Sequence, residues 1–255
     1  MTTASVVFEE VSWSPGGKLV LHQISATFRP GTITAILGPN GAGKSSLLRA
    51  AAGFLPLTKG RVLWKGTTQN HFTSRQAALF RHWCGSQDES GLSASSVVEA
   101  GAYPLSGHWP KLSLPQLSRR QELQEALELK IDWNDHRPFQ SFSSGERRLV
   151  HLIRTFLLPA EVYLLDEPGA PLDLRHRLLL GKLLRQCADQ GATLLVSYHD
   201  LAEALAIADE VLILEGGALK AHGPVTVLTP ELIENVWGVQ SPEKGWVWGS
   251  LGEKR

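Results

Sequence analysis

Between residues 5 and 37 the apolar side chains come in short runs, "SVVFEEVSW", "LVLHQISATF" and "TITAILG", cut apart by "SPGGK" and "RPGT". Short runs bounded by glycine and proline turns predict strands. The third run, residues 32–37, is almost continuously apolar and leads into glycines, the pattern of a parallel strand buried on both faces. Beyond the glycines the period changes. In "KSSLLRAAAGFL", residues 44–55, Leu47, Leu48, Ala51 and Phe54 or Leu55 recur near helical spacing, and Gly53 and Pro56 mark the stop. The order is strand, glycine loop, helix.

From about residue 88 to 158 the texture is helical, notably in "RRQELQEALEL" (119–129) and "GERRLVHLIRTFLL" (145–158), with loops containing proline and tryptophan between. Strand patterns return in "EVYLLDEP" (161–168), "GATLLVSYHD" (191–200) and "DEVLILEGGALKAHG" (209–223), the first two separated by a helical stretch, "RHRLLLGKLLRQCADQ" (175–190). Alternating strands and helices imply an α/β fold with a mostly parallel sheet. The expected organisation is a single domain: an α/β core from 1–87 and 159–223, an inserted helical subdomain at 88–158, and a short closing helix, "TPELIENVWG", with a polar tail within 224–255.

Composition narrows the function classes. The chain's 25 basic and 25 acidic residues cancel, leaving no global field to attract nucleic acid, so no nucleic-acid partner is expected. Its two cysteines, Cys84 and Cys187, are far apart, which argues against a disulfide framework or zinc ribbon and fits a reducing compartment. The N-terminus carries Glu9 and Glu10 where a secretory signal would be apolar. Apolar windows such as "LIRTFLLPAEVYLL" are interrupted by Arg154, Pro159 and Glu161, short of the roughly 20 residues that cross a bilayer.

The glycine loop carries chemistry. Gly38-Pro39-Asn40-Gly41-Ala42-Gly43-Lys44-Ser45 fits G-x-x-x-x-G-K-[ST] in the strand-to-helix context that a P-loop requires. Its backbone N–H groups and helix start suit phosphate, Lys44 would reach the β- and γ-phosphates, and Ser45 would place its hydroxyl on Mg²⁺. With Ser46 these residues form the expected nucleotide-binding set. In "VYLLDE" an apolar strand delivers Asp166 to its end, a second Mg²⁺ contact, and Glu167 beside it could polarise an attacking water. His199 ends another predicted parallel strand, and such ends collect on one sheet edge. A position there would let it contact the γ-phosphate.

A second helix start is built for an anion. In "SFSSGERR", Ser143 and Glu146 match a capping box, followed by Leu149, Leu152, Ile153 and Phe156 on one face. A cap alone accounts for Ser143 and Glu146 but not for the bare donors of Ser144 and Gly145. The series Gly38–Ser45, Gln87, Ser143–Glu146, Asp166-Glu167, Asp173 and His199 resembles, over nearly the whole chain, the nucleotide-binding subunit of ATP-binding cassette transporters. That resemblance implies a P-loop NTPase core with an antiparallel β subdomain on its N-terminal side and a helical signature subdomain. It further implies that Ser143, Ser144, Gly145 and Glu146 act in trans, on ATP held by a second copy in a head-to-tail dimer. By the same resemblance Gln87 senses Mg²⁺, Asp173 lies at the dimer interface, and the stretch of about 88–110 docks an integral membrane permease. A substrate-binding protein completes the implied complex, at the cytoplasmic face of the inner membrane.

Three departures from the family pattern stand out. Where the family stacks adenine on an aromatic, this chain has Pro15, and Trp13, two residues earlier on the same expected strand face, is the candidate substitute. "GAPLD" places Gly169 and Pro171 in the segment before Asp173, and the signature has Phe142 and Ser144 for the commoner leucine and glycine. "GAYPLSGHWPKLS", "DLRHR" and "VLTPELIENVWGV" resemble the importer ATPases for iron-siderophores, haem and cobalamin. The expected function is therefore ATP hydrolysis driving such an importer. The alternatives are another ABC transporter, exporters included, and a soluble ABC-type ATPase. A P-loop small-molecule kinase would leave 143–146 and His199 without a role.

Overall fold

The computed structural model describes residues 5–85, 91–106 and 111–239 of the chain. The N-terminal runs form β1 (Val6–Trp13), β2 (Leu21–Phe28) and β3 (Ile33–Leu37), and α1 (Lys44–Ala51) follows the glycine loop. Next come β4 (Lys59–Trp64), β5 (Thr67–Thr68), α2 (Ser74–Phe80) and β6 (Arg81–Cys84). The helical stretch contains α3 (Ala94–Glu99), α4 (Tyr103–Ser106), α5 (Leu114–Ala126) and α6 (Ser144–Phe156). The chain then alternates through β7 (Val162–Leu165), α7 (Leu174–Asp189), β8 (Thr193–Ser197), α8 (Leu201–Ile207), β9 (Glu210–Glu215), β10 (Ala218–Pro224) and α9 (Pro230–Trp237).

The 10-stranded sheet runs β5-β4-β1-β2-β10-β9-β3-β8-β7-β6. From β9 through β6 all neighbours are parallel, whereas β1 is antiparallel to both β2 and β4. The fold is thus α/β, with an antiparallel portion supplied by the N-terminal strands. The two portions are stitched at one register pair, Ala218 to His22.

Alternation in the central strands sends neighbouring side chains to opposite faces. Ile33, Ala35 and Leu37 of β3 join the apolar sides of α6 and α7, including Leu152, Phe156 and Leu184. Ile36 joins Leu47 and Leu48 of α1 with Phe8, Phe28 and Trp64 on the other face. The glycine-loop helix and the Ser143 helix therefore lie in different layers, with the sheet between them.

Local structure departs from the sequence pattern in three places. β6, "RHWC", has no apolar run because it is the last strand of the sheet. Its Arg81 stacks on Phe54 at 4.7 Å, and burial pushes that guanidinium down to about 10. α5 begins at Leu114 because Ser113 and Gln116 close a capping box there. β1 ends at Trp13, and Pro15 opens a 3₁₀ turn, so the strand alternation that relates Trp13 to Pro15 does not extend to Pro15.

Candidate nucleotide-binding site

β3 ends at Leu37 and the chain turns sharply through Gly38, whose φ is +145° and where an added Cβ would lie 2.1 Å from the Leu214 carbonyl oxygen. Only glycine fits a turn packed that closely on a neighbouring strand. Gly43, at φ +99°, is the N-cap of α1 and offers no side-chain cap, so the first N–H groups of the helix are left for an outside acceptor. Lys44 is 6% exposed, and its Nζ donates to the carbonyls of Gly38 at 2.8 Å and Pro39 at 3.2 Å. Burial lowers its pKa, opposed by the charges of Glu167 and Asp166. A pocket here is lined by Val20, Asn40–Ser46, Glu167 and His199.

Both carboxylates arrive from the end of β7, and Ser197 and His199 from the end of β8. Asp166 is buried; Ser45 Oγ donates to its Oδ1 at 3.0 Å and Ser197 Oγ donates to the same atom at 2.7 Å. Ser197 Oγ in turn accepts from the Glu167 N–H at 2.9 Å. Glu167 has φ +48°, a left-handed conformation that costs a residue with a side chain about 1–3 kcal/mol. Its Oε1 lies 2.7 Å from His199 Nε2. The structure thus brings Lys44, Ser45, Asp166, Glu167 and His199 to one end of the parallel sheet.

A hydroxyl and a carboxylate oxygen 3.0 Å apart are hard donors of the kind Mg²⁺ takes, and that ion usually has few protein ligands besides phosphates and water. Among the described residues no group of three His, Cys, Asp or Glu forms a metal cage. The donor set fits Mg²⁺ held together with a nucleotide. Gln87 lies outside the described residues.

The second helix start is built differently. Ser143 Oγ accepts from the Glu146 N–H at 3.2 Å while the Ser143 N–H donates to the Glu146 carboxylate at 2.8 Å, a complete capping box. Hydrogen bonding to the Ser143 side chain and then to its main chain holds the Glu146 carboxyl below the usual carboxylate range. Asp173 caps α7 by accepting from the His176 N–H at 2.8 Å. Ser143, Gly145 and Glu146 share one cleft with Pro171, Asp173 and His176, and that lining has no residue in common with the phosphate-loop pocket. Gly169 has a local reason: a Cβ there would sit 2.6 Å from the Glu203 carboxylate, which pairs with Arg177. Trp13 packs half-buried against the core and does not line the phosphate pocket.

Two residues of the site escape a reading of the sequence. Val20 lines the pocket only because β2 starts beside the loop, the Val20 N–H donating to the Trp13 carbonyl at 2.9 Å. Ser197 carried a signal, a polar residue closing an apolar run two positions before His199.

A family model described as ABC transporter matches residues 21–170. Over 228 residues the chain is 36% identical to the Hemin import ATP-binding protein HmuV of Rhodococcus jostii, covering 88% of this chain and 76% of that protein. The protein of the same name from Aliivibrio fischeri is 31% identical over 251 residues, covering 93% and 92%. A solved ATP binding subunit of an ABC transporter superposes with a TM-score of 0.76 at 22% identity, over 93% of this chain and 95% of that one. A bacterial Atm1-family ABC exporter with ATP bound gives 0.78 at 21%, over 92% of this chain and 42% of that chain. These structures share the fold, and since one is an exporter, the fold alone does not fix the direction of transport.

Proposed function

The chain belongs to the ABC transporter family and is an ATP-binding, ATP-hydrolysing protein, and on that premise we propose that it powers haem import through a separate membrane permease. The observation that carries the cargo is the naming of the relatives from Rhodococcus jostii and Aliivibrio fischeri as hemin import proteins, over 88% and 93% of this chain. Siderophore and cobalamin importers are the neighbouring readings that sequence resemblance also supports.

On this reading Gly38–Ser46 bind the nucleotide phosphates through main-chain N–H groups, and Lys44 exchanges its two carbonyl partners for phosphate oxygens. Ser45, Asp166 and Gln87 would hold Mg²⁺. When bound, that ion neutralises charge building on the phosphates. Glu167 takes the proton of the attacking water, a role worth about 10²–10⁴ in rate. His199, 2.7 Å from the carboxylate and lining the same pocket, fixes its orientation and would contact the γ-phosphate. Trp13 remains the candidate to support the base.

The trans arrangement is part of the proposal. Ser143, Ser144, Gly145 and Glu146 complete the site of a second copy, with Asp173 at the two-fold interface. Support comes from the separate cleft that Ser143, Gly145, Glu146 and Asp173 line, which shares no residue with the chain's own phosphate-loop pocket. The permease would contact the stretch after Gln87, with a substrate-binding protein delivering cargo. No helix among the described residues is long and apolar enough to cross a membrane. A peripheral seat at the cytoplasmic face of the inner membrane follows from the proposed complex.

The test is reconstitution with the permease and binding protein that copurify with this chain, then ATPase assay of the complex. Stimulation by haem-loaded binding protein is the expected result. Stimulation by a ferric siderophore or cobalamin instead overturns the cargo while leaving the ATPase assignment intact.

A further inference from the structure

The left-handed backbone of Glu167 is held from both sides. Its N–H donates to Ser197 Oγ at 2.9 Å, and its carbonyl accepts from Arg148 Nη2 at 3.1 Å and, longer, from the Ala170 N–H at 3.3 Å. Arg148 projects from α6, the helix that Ser143 caps. Its Nη1 also reaches Cys84 Sγ at 3.6 Å, at the end of β6 and directly before the segment containing Gln87. One guanidinium therefore ties the signature helix and the last strand to the main chain of the candidate base.

The distances give this tie a chemical consequence. Glu167 Oε1 meets His199 at 2.7 Å only while the peptide at 167 stays turned, because φ decides where the side chain leaves the backbone. Ser197 holds the N–H side and is itself fixed by Asp166. The carbonyl side depends on Arg148, whose bond is charge-assisted and shorter than the one from Ala170. We infer that Arg148 is a positioning residue for ATP hydrolysis, holding the Glu167 main chain so that its carboxylate stays against His199. It does not line the phosphate-loop pocket, so its effect falls on turnover and spares nucleotide affinity. The inference rests on the reading of Glu167 as the base.

The experiment uses the full chain and compares Arg148→Met, which keeps the stem and loses the donor, with Arg148→Lys, which keeps one charged donor. A misplaced catalytic group is worth on the order of 10²-fold. Arg148→Met is expected to lower kcat by about 10–100-fold with the affinity for a fluorescent ADP unchanged, and Arg148→Lys to recover most of the loss. A merely structural role would instead lower the melting temperature and ADP affinity together. Arg148→Met at wild-type kcat, a loss shared equally by ADP affinity, or Arg148→Lys no better than Arg148→Met overturns the inference. Should the methionine variant not fold, Arg148→Gln, which keeps a neutral donor, replaces it and is expected to lower kcat more than Arg148→Lys does, with wild-type kcat again counting against the idea. Glu167→Gln is run beside them. If it turns over normally, the base assignment itself fails; if it is inactive while Arg148→Met is normal, only Arg148 is misassigned.

Discussion

The helix that begins at Lys44 has no side-chain cap, whereas the helix that begins at Ser144 carries a complete one. At the first, Gly43 leaves the orphan N–H groups unspent and the buried lysine rests on two carbonyls, so the loop is finished only when phosphate arrives. At the second, Ser143 and Glu146 satisfy each other. That start is stable by itself and stands on the protein surface. A loop that needs its ligand suits the nucleotide the chain carries; a prefabricated, exposed helix end suits a phosphate brought by another subunit.

The sharpest way to break this comparison is Ser144→Arg. On the proposed dimer it should cut ATPase turnover by about 10²–10³, the usual loss when a transition-state contact is removed, while ADP affinity of the isolated chain stays at the wild-type value. Equal losses of both would mean the two helix starts serve one site. Gly38→Ala attacks the other side: with φ at +145° and Leu214 oxygen 2.1 Å from the added Cβ, it should cost about 3 kcal/mol of stability and abolish nucleotide binding. Denaturant titration with and without ADP reads both. Ser143→Ala removes the cap, and about 1 kcal/mol, or roughly 2–4 °C in melting temperature, should be lost with the ADP affinity of the isolated chain intact.

The smallest effect is a slope. His82 of β6 sets its Nδ1 2.7 Å from the Thr155 carbonyl near the end of α6, and burial holds its pKa below the ordinary histidine value. The unfolded chain therefore takes up the proton first as the solution is acidified. Stability from this group is present above about pH 6.5 and declines below it until the folded value is passed. Melting curves of wild type and His82→Gln at about pH 7.5 and about pH 5.5 should show a shallower decline in the variant. A matching decline would free the far end of α6 from this contact.

What could be read from the sequence was what depends on short spacing. The phosphate loop, the Ser143 cap and the acidic end of "VYLLDE" are each set by neighbours within a few residues, so pattern alone located them. The parallel order of strands was readable because β3, β7 and β8 are buried on both faces and therefore continuously apolar. β6 was not, since a strand at the sheet edge needs no apolar run, and α8 was hidden by its length of 7 residues and a cap, Asp200, adjoining His199. The role of Arg148 lay beyond reach for a different reason. Its partners are 19 and 64 residues away, and nothing local marks an arginine that serves a distant carbonyl.

If Glu167 is the base proposed above, its left-handed turn sets heat resistance against catalysis. Glycine at that position would adopt φ +48° freely, so Glu167→Gly should raise stability by about 1 kcal/mol while removing the carboxylate. A screen of this chain for survival at high temperature, run without an activity filter, would therefore be drawn to position 167 and would enrich inactive protein.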